Sequence, residues 1–249
     1  MILLIDAGNS RMKATTFSES VLGDVFSVPY DDKQPLDCLV SYLEAKSPVD
    51  SLVLVSVLGT KFEQAIKEYC TDKKIRLVWA SSSQVAHGVK NNYDDPTALG
   101  SDRFVALVGA VKQFPKQYCI VVDCGTAVTI DGLTIEGEFK GGVILPGLQL
   151  WGQSLIGRTS QLKENNLKSP PLFAKNTADA IGGGSVYGLV GAVDSVCTKM
   201  KQHFIESGAK ETSIKLVICG GDAALVASHS QLEFTLSPHL VLTGLVHYI

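Results

Sequence analysis

Apolar residues come in short runs separated by glycine-rich polar turns, and one such run opens the chain: Ile2-Leu3-Leu4-Ile5 leads into Asp6-Ala7-Gly8-Asn9-Ser10. A short apolar run backed by a turn cluster predicts a buried strand, and the alternation from Met12 to Phe17 predicts a hairpin strand returning beside it. The same order comes back as Ile120-Val121-Val122-Asp123-Cys124-Gly125-Thr126-Ala127, with Val128 to Leu133 as its returning strand. Asp6 and Asp123 are 123 − 6 = 117 positions apart, close to half of the 249 residues, which points to a duplicated unit. Leu52 to Leu58 and Lys215 to Cys219 predict one further buried strand in each half, each followed by glycine and a helical pattern.

Phe104, Val105, Leu107, Val108 and Val111 fall at helical spacing and predict one apolar face on a helix entered at Ser101. The stretch from Gly141 to Gly147 reads as a strand ending in a turn, and Ser169-Pro170-Pro171 as a loop within a polar, mobile connection over 158–176. Thr177 to Met200 reads as a helix despite Gly182-Gly183-Gly184, each of which weakens it by up to ~1 kcal/mol relative to alanine. The join between halves falls near Phe114-Pro115-Lys116-Gln117. The expected domains are therefore 1–115 and 116–249, both α/β, the second with a helical insertion.

Composition narrows the class. With 45% hydrophobic and 19% charged residues the chain can bury a core. Its net charge of −3 argues against a nucleic-acid binder driven by bulk charge. No apolar run approaches the ~18 residues of a membrane span, and the N-terminus has no basic leader region, so a cytoplasmic protein is expected. Six cysteines without a C-x-x-C pair read as reduced core thiols, and five histidines without ligand spacing make a structural zinc improbable.

Two turns could carry chemistry. Asp6 at a strand end, followed by Gly8-Asn9-Ser10, can offer backbone N–H groups and a hydroxyl to phosphate oxygens, with Lys13 adding positive charge. An ordinary Asx-type hairpin turn would look the same. In the second copy Asp123 could hold a cation and Thr126 could bond a phosphate oxygen, while Thr129 could serve the strand ladder and Asp131 could open the next turn with Gly132. Neither a Walker A loop nor G-x-G-x-x-G is present. At Gly100-Ser101-Asp102-Arg103, Ser101 suits an N-cap and Asp102 the positive end of a helix. Arg103 suits neither, which suggests an acidic partner or an anionic ligand.

Paired Asp-Gly turns on a duplicated α/β frame resemble the actin and sugar kinase superfamily, a ribonuclease H-like fold with two domains and a cleft between them. More specifically, D-x-G-N-S at the N-terminus, G-S-D-R at 100–103, D-C-G-T-A at 123–127, G-G-V-I-L-P-G at 141–147 and Asn176-Thr177-Ala178-Asp179-Ala180-Ile181 occur in the order of the type III pantothenate kinase motifs. That family also includes proteins described as Bvg accessory factor, so a non-catalytic regulator and another small-molecule kinase of the superfamily are the alternatives. The resemblance implies a homodimer that phosphorylates pantothenate with ATP and Mg²⁺ to 4′-phosphopantothenate, the first step of coenzyme A biosynthesis. It implies that Asp6, Ala7, Gly8, Asn9, Ser10, Arg11, Met12, Lys13 and Thr126 bind ATP and that Asp102 is the catalytic base. It further implies that Tyr93, Gly100, Ser101, Asp102, Arg103 and Thr177 bind pantothenate, with Thr177 reaching across the dimer. Asp123 is implied to ligate K⁺ or NH₄⁺. Tyr93 could equally be a half-buried loop aromatic, and Thr177 an N-cap. Ser10 stands where threonine is common in the family, and Ser101 where alanine or valine is common. Gly220-Gly221-Asp222 fits a glycine turn on the nucleotide side.

Overall fold

The computed structural model describes residues 1–46, 48–156 and 170–249. They form two units, Met1–Pro115 with His239–Ile249, and Lys116–Pro238. Most of the connection expected to be mobile lies outside the described residues.

The first unit runs β1 (Ile2–Ala7), β2 (Arg11–Ser18), β3 (Val21–Leu22), β4 (Phe26–Pro29), α1 (Pro35–Lys46), β5 (Ser51–Ser56), α2 (Thr60–Asp72), β6 (Arg76–Ala80), β7 (Val85–Ala86), β8 (Val89–Asn91) and α3 (Ser101–Gln113). Its sheet order is β3-β2-β1-β5-β6, with β4 also on β2. β1 is antiparallel to β2 and parallel to β5, which is parallel to β6. Leu3, Leu4 and Ile5 of β1 and Leu52, Val53, Leu54 and Val55 of β5 have no exposed surface. Both faces of these central strands are covered, which is why they read as continuous apolar runs and not as alternations.

The second unit has β9 (Tyr118–Cys124), β10 (Ala127–Leu133), β11 (Glu138–Pro146), α4 (Leu148–Ile156), α5 (Thr177–Glu206), β12 (Ile214–Gly220), α6 (Ala223–His229) and β13 (Thr235–Leu236). β9 to β13 lie in the order β11-β10-β9-β12-β13. β9 and β10 are antiparallel, as are β10 and β11, while β12 is parallel to both β9 and β13. The two units thus share one connectivity, and the Asp-x-Gly echo marks the same corner in each.

The echo is not residue for residue. Asp6 lies opposite Lys13, whereas Asp123 lies opposite Thr129, so the second turn is one residue shorter. Asp131 does not open a turn as expected. It sits inside β10 opposite Val121, 2% exposed, because the strand continues through Gly132 to Leu133.

α5 runs unbroken through Gly182-Gly183-Gly184 because Val186, Leu189, Val190, Val193 and Cys197 form a buried stripe in a core with Ile120, Val122, Val128 and Ile130. Burial of that stripe outweighs the propensity cost of the glycines. A β-carbon on Gly183 would come within 3.2 Å of the Pro171 carbonyl, so this glycine also admits the 170–171 segment against the helix. By length and composition α5 could cross a bilayer, contrary to the expectation that nothing approaches such a span. Its apolar stripe instead fills the second unit's core. All six cysteines are free and buried.

The C-terminus departs from the expected halves. His239–Ile249 belongs with the first unit, where α7 (Leu240–Leu245) buries Leu240, Val241, Leu242 and Leu245. Its partner is α3, and the contact is glycine on backbone from both sides. A β-carbon on Gly109 would meet the Leu240 carbonyl at 2.5 Å, and one on Gly244 would collide with the Val105 carbonyl. With α7 on one side, α3 buries every residue from Arg103 to Ala110 and not only the single face its periodicity predicts.

Candidate active site

In the first unit, Asp6 is the last residue but one of β1 and the chain reverses over Gly8-Asn9-Ser10 into β2. The Gly8 N–H donates to the Arg11 carbonyl at 3.1 Å, closing the turn. Asn9, Ser10 and Arg11 are exposed and Asp6 and Lys13 half-buried, whereas Ala7 and Met12 are each 1% exposed. Of the eight nucleotide contacts expected in this turn, Ala7 and Met12 therefore have only main-chain atoms to offer. His239 was not anticipated here. Burial, and then the Lys13 charge, lower its pKa.

The loop leading to α3 is organised by Asn91, a buried residue at 3% exposure. Its Nδ2 donates to the Pro96 carbonyl at 2.9 Å and its Oδ1 accepts from the Tyr93 N–H at 3.1 Å. Asp95 caps the short 3-10 turn at Pro96–Ala98, accepting from the N–H and hydroxyl of Thr97 at 2.9 and 2.7 Å. Those bonds lower the Asp95 pKa. Tyr93 is thereby delivered to Arg103: the guanidinium Nη1 donates to the Tyr93 hydroxyl at 3.0 Å and the guanidinium carbon lies 5.8 Å from the ring centroid. Arg103 is 8% exposed, and a cation so far from solvent requires partners of this kind.

Ser101 is not the N-cap of α3, as expected. Gly100 holds that position and Ser101 is the first helical residue, its hydroxyl accepting from the Ser82 N–H at 3.4 Å. The Asp102 Oδ1 accepts the Arg103 N–H at 2.8 Å and would lie 2.7 Å from a β-carbon at position 100. Only glycine leaves that carboxylate its place. Asp102 and Arg103 thus put a carboxylate and a buried guanidinium on consecutive residues of one helix's first turn.

In the second unit the Gly125 N–H bonds the Ala127 carbonyl at 3.0 Å, leaving Thr126 exposed at the turn's tip and Asp123 half-buried beneath it. Gly147, which closes the G-G-V-I-L-P-G stretch, donates its N–H to the Thr126 carbonyl at 3.0 Å, and a β-carbon there would collide with the turn's backbone. Gly220 comes equally close. A side chain on it would lie 2.6 Å from Asp123 Oδ1, and its φ of 97° is one that glycine tolerates. The Asp222 N–H bonds the Cys124 carbonyl at 3.1 Å. Burial first, and then the charges of Asp123 and Asp222, push the Cys124 thiol far above its usual pKa. Two carboxylates therefore flank one turn. Thr177 is exposed at the start of α5 but does not cap it. Asn176 does, accepting the Asp179 N–H at 2.9 Å.

No cluster of three or more His, Cys, Asp or Glu among the described residues could hold a metal unaided.

Comparison with known proteins extends this picture. The family model for type III pantothenate kinase matches residues 2–199. The type III pantothenate kinase of Janthinobacterium sp. (strain Marseille) is 33% identical, over 98% of this chain and 96% of its own. That of Herminiimonas arsenicoxydans is 34% identical with the same coverage. Among solved structures, a Campylobacter jejuni protein described as a candidate Baf family transcriptional activator aligns with a TM-score of 0.58 at 21% identity, covering 98% of this chain and 95% of that one. MreB5 of Spiroplasma citri bound to ADP aligns at 0.54 and 10% identity, covering 98% and 94%. At such identities the structures speak to the fold, which is the actin-like one expected. The sequence relatives speak to the reaction: this chain belongs to the type III pantothenate kinase family, the kinases that phosphorylate pantothenate with ATP in coenzyme A biosynthesis.

Proposed function

We propose that Asp102 is the base that receives the pantothenate hydroxyl proton, and that Gly100, Ser101, Arg103 and Tyr93 hold the substrate around it. The observation that carries this reading is the buried Arg103 guanidinium, bonded to Tyr93 one residue from the Asp102 carboxylate. A fixed cation at a helix N-terminus suits a substrate that is itself an anion, and the neighbouring carboxylate suits its alcohol. Asp6, the 7–13 turn and Thr126 take the phosphates of magnesium-bound ATP, Ala7 and Met12 through their main chain. Little covalent work falls to the protein in phosphoryl transfer, so positioning and charge neutralisation are what these turns supply. The enzyme acts in the cytoplasm, where its buried thiols stay reduced, and needs neither a membrane nor nucleic acid.

Asp123 holds K⁺ or NH₄⁺, which adds positive charge beside the phosphates. ADP release measured in Tris or Na⁺ buffer should then be at least tenfold slower than in K⁺ or NH₄⁺, and Asp123→Ala should abolish the difference between buffers. Equal wild-type rates in all buffers would remove the ion from Asp123.

The homodimer is proposed to form along α5. Ala180, Gly184, Tyr187, Gly191, Ser195 and Thr198 are exposed at helical spacing, and the stripe begins one turn from Thr177. Apart from Tyr187 these are small residues that let a second helix approach closely, and Thr177 then serves a partner's substrate. Light scattering should give twice the 26.6 kDa chain mass. A fully active monomer would refute it.

A further inference from the structure

The hairpin of β7 and β8 ties two distant parts of the first unit together. Val85 is in register with Lys90 and Ala86 with Val89, and the Asn91 N–H closes the base on the Gln84 carbonyl at 2.9 Å. The two residues at the tip, His87 and Gly88, have φ of 52° and 90°, the pair of positive values that a type I′ turn requires. Asn-Gly is the pair that usually supplies them, so a histidine in the first position points to a use for its ring. That ring lies 4.1 Å, centroid to centroid, from the ring of Tyr248, at an interplanar angle of 41°. Tyr248 ends the 3-10 turn Val246–Tyr248 that follows α7, and its hydroxyl is buried with no hydrogen-bond partner. The ring, and not its oxygen, is therefore what makes the contact. A β-carbon on Gly88 would come within 3.3 Å of Val111 Cγ1, which seats the same tip on the last turn of α3.

We propose that Tyr248 is a positioning residue for pantothenate: its ring holds the hairpin tip through His87, and the hairpin base carries Asn91, whose side chain shapes the loop that delivers Tyr93 to Arg103. Tip and base are four residues apart, about 13 Å of strand, so a displaced tip passes its displacement to Asn91. β8 packs on α3, and α7 packs on α3 through Gly109 and Gly244, so the stack closes a ring of contacts around the helix that carries Asp102 and Arg103. The nucleotide turn hangs instead from β1 and β2 and takes no part in that ring. This inference rests on the assignment of Tyr93 and Arg103 to pantothenate.

The test compares Tyr248→Ala, Tyr248→Phe, His87→Asn and Tyr93→Phe by steady-state kinetics and thermal unfolding of the full chain. Tyr248→Ala should raise KM for pantothenate about threefold to tenfold, the range that one aromatic pair accounts for, with KM for ATP unchanged. Tyr248→Phe keeps the ring and removes an unpaired buried hydroxyl, so it should show the wild-type KM for pantothenate and an equal or higher Tm. His87→Asn installs the preferred turn residue without a ring. It should leave Tm unchanged yet raise KM for pantothenate as Tyr248→Ala does, and combining the two should add little. A His87→Asn variant with wild-type KM for pantothenate would overturn the inference, as would a Tyr248→Phe variant as impaired as Tyr248→Ala. Equal rises in KM for both substrates in His87→Asn would overturn it too, because a merely structural contact does not choose between them. Should Tyr248→Ala fold poorly, His87→Asn decides alone. Tyr93→Phe separates the two layers. If it leaves KM for pantothenate intact, the substrate assignment itself has failed; if it alone raises that KM, only the role of Tyr248 has.

Discussion

Asp102→Asn should lower kcat by ~10² to 10⁴-fold, roughly 3 to 5 kcal/mol of transition-state stabilisation. The substitution is nearly isosteric, and an asparagine Oδ1 can still accept the Arg103 N–H that Asp102 accepts at 2.8 Å. The only folding loss is the interaction of a negative charge with the helix N-terminus, ~0.3 to 1 kcal/mol. Circular dichroism and ATP affinity should therefore match the wild type. Among the described residues Oδ1 is the carboxylate oxygen engaged by the protein, so under the proposed assignment Oδ2 is the one to meet the substrate hydroxyl. Phosphoryl transfer has a loose transition state in which the nucleophile loses its proton late, so the carboxylate aligns the hydroxyl as much as it deprotonates it. KM for pantothenate should rise alongside the fall in kcat. A variant retaining more than about a third of wild-type kcat would make Asp102 a helix-end charge and nothing more, and the base would have to be sought elsewhere.

Much of this site is legible in the sequence because its signals are local. A strand that ends in Asp-x-Gly and turns back within three residues declares its own geometry, and both copies do so. Arg103 stands out in the sequence as a cation at a helix N-terminus, and the structure buries it and bonds it to the neutral Tyr93 hydroxyl. What is not legible depends on contacts distant in sequence. Asn91 looks like any loop asparagine until its bonds to Pro96 and Tyr93 are seen. Ser101 reads as the N-cap because serine usually is one, yet the Asp102 carboxylate occupies the space that only Gly100 leaves. The eleven C-terminal residues are misassigned for a similar reason. A six-residue helix shows no periodicity, and the duplication invites an equal division of the chain.

That returning helix carries the other large effect: Gly244→Ala should destabilise the first unit by about 3 kcal/mol, the upper part of the usual range for overpacking. The added methyl group collides with the Val105 carbonyl, a main-chain atom inside α3 that no rotamer change can move aside. Gly109 faces the same contact from the other helix, 2.5 Å from the Leu240 carbonyl, so sliding α7 along α3 relieves one clash by making another. For a chain of this size the loss corresponds to a fall in Tm of roughly 6 to 12 °C. α3 carries Asp102 and Arg103 in its first turn, so any shift that accommodates the methyl group must also move the carboxylate and guanidinium. Activity at a temperature where the variant is still folded should therefore fall as well, with KM for pantothenate rising and KM for ATP changing less. If Gly244→Ala unfolds within 2 °C of the wild type, the two helices are not packed backbone to backbone, and α7 does not set the position of α3.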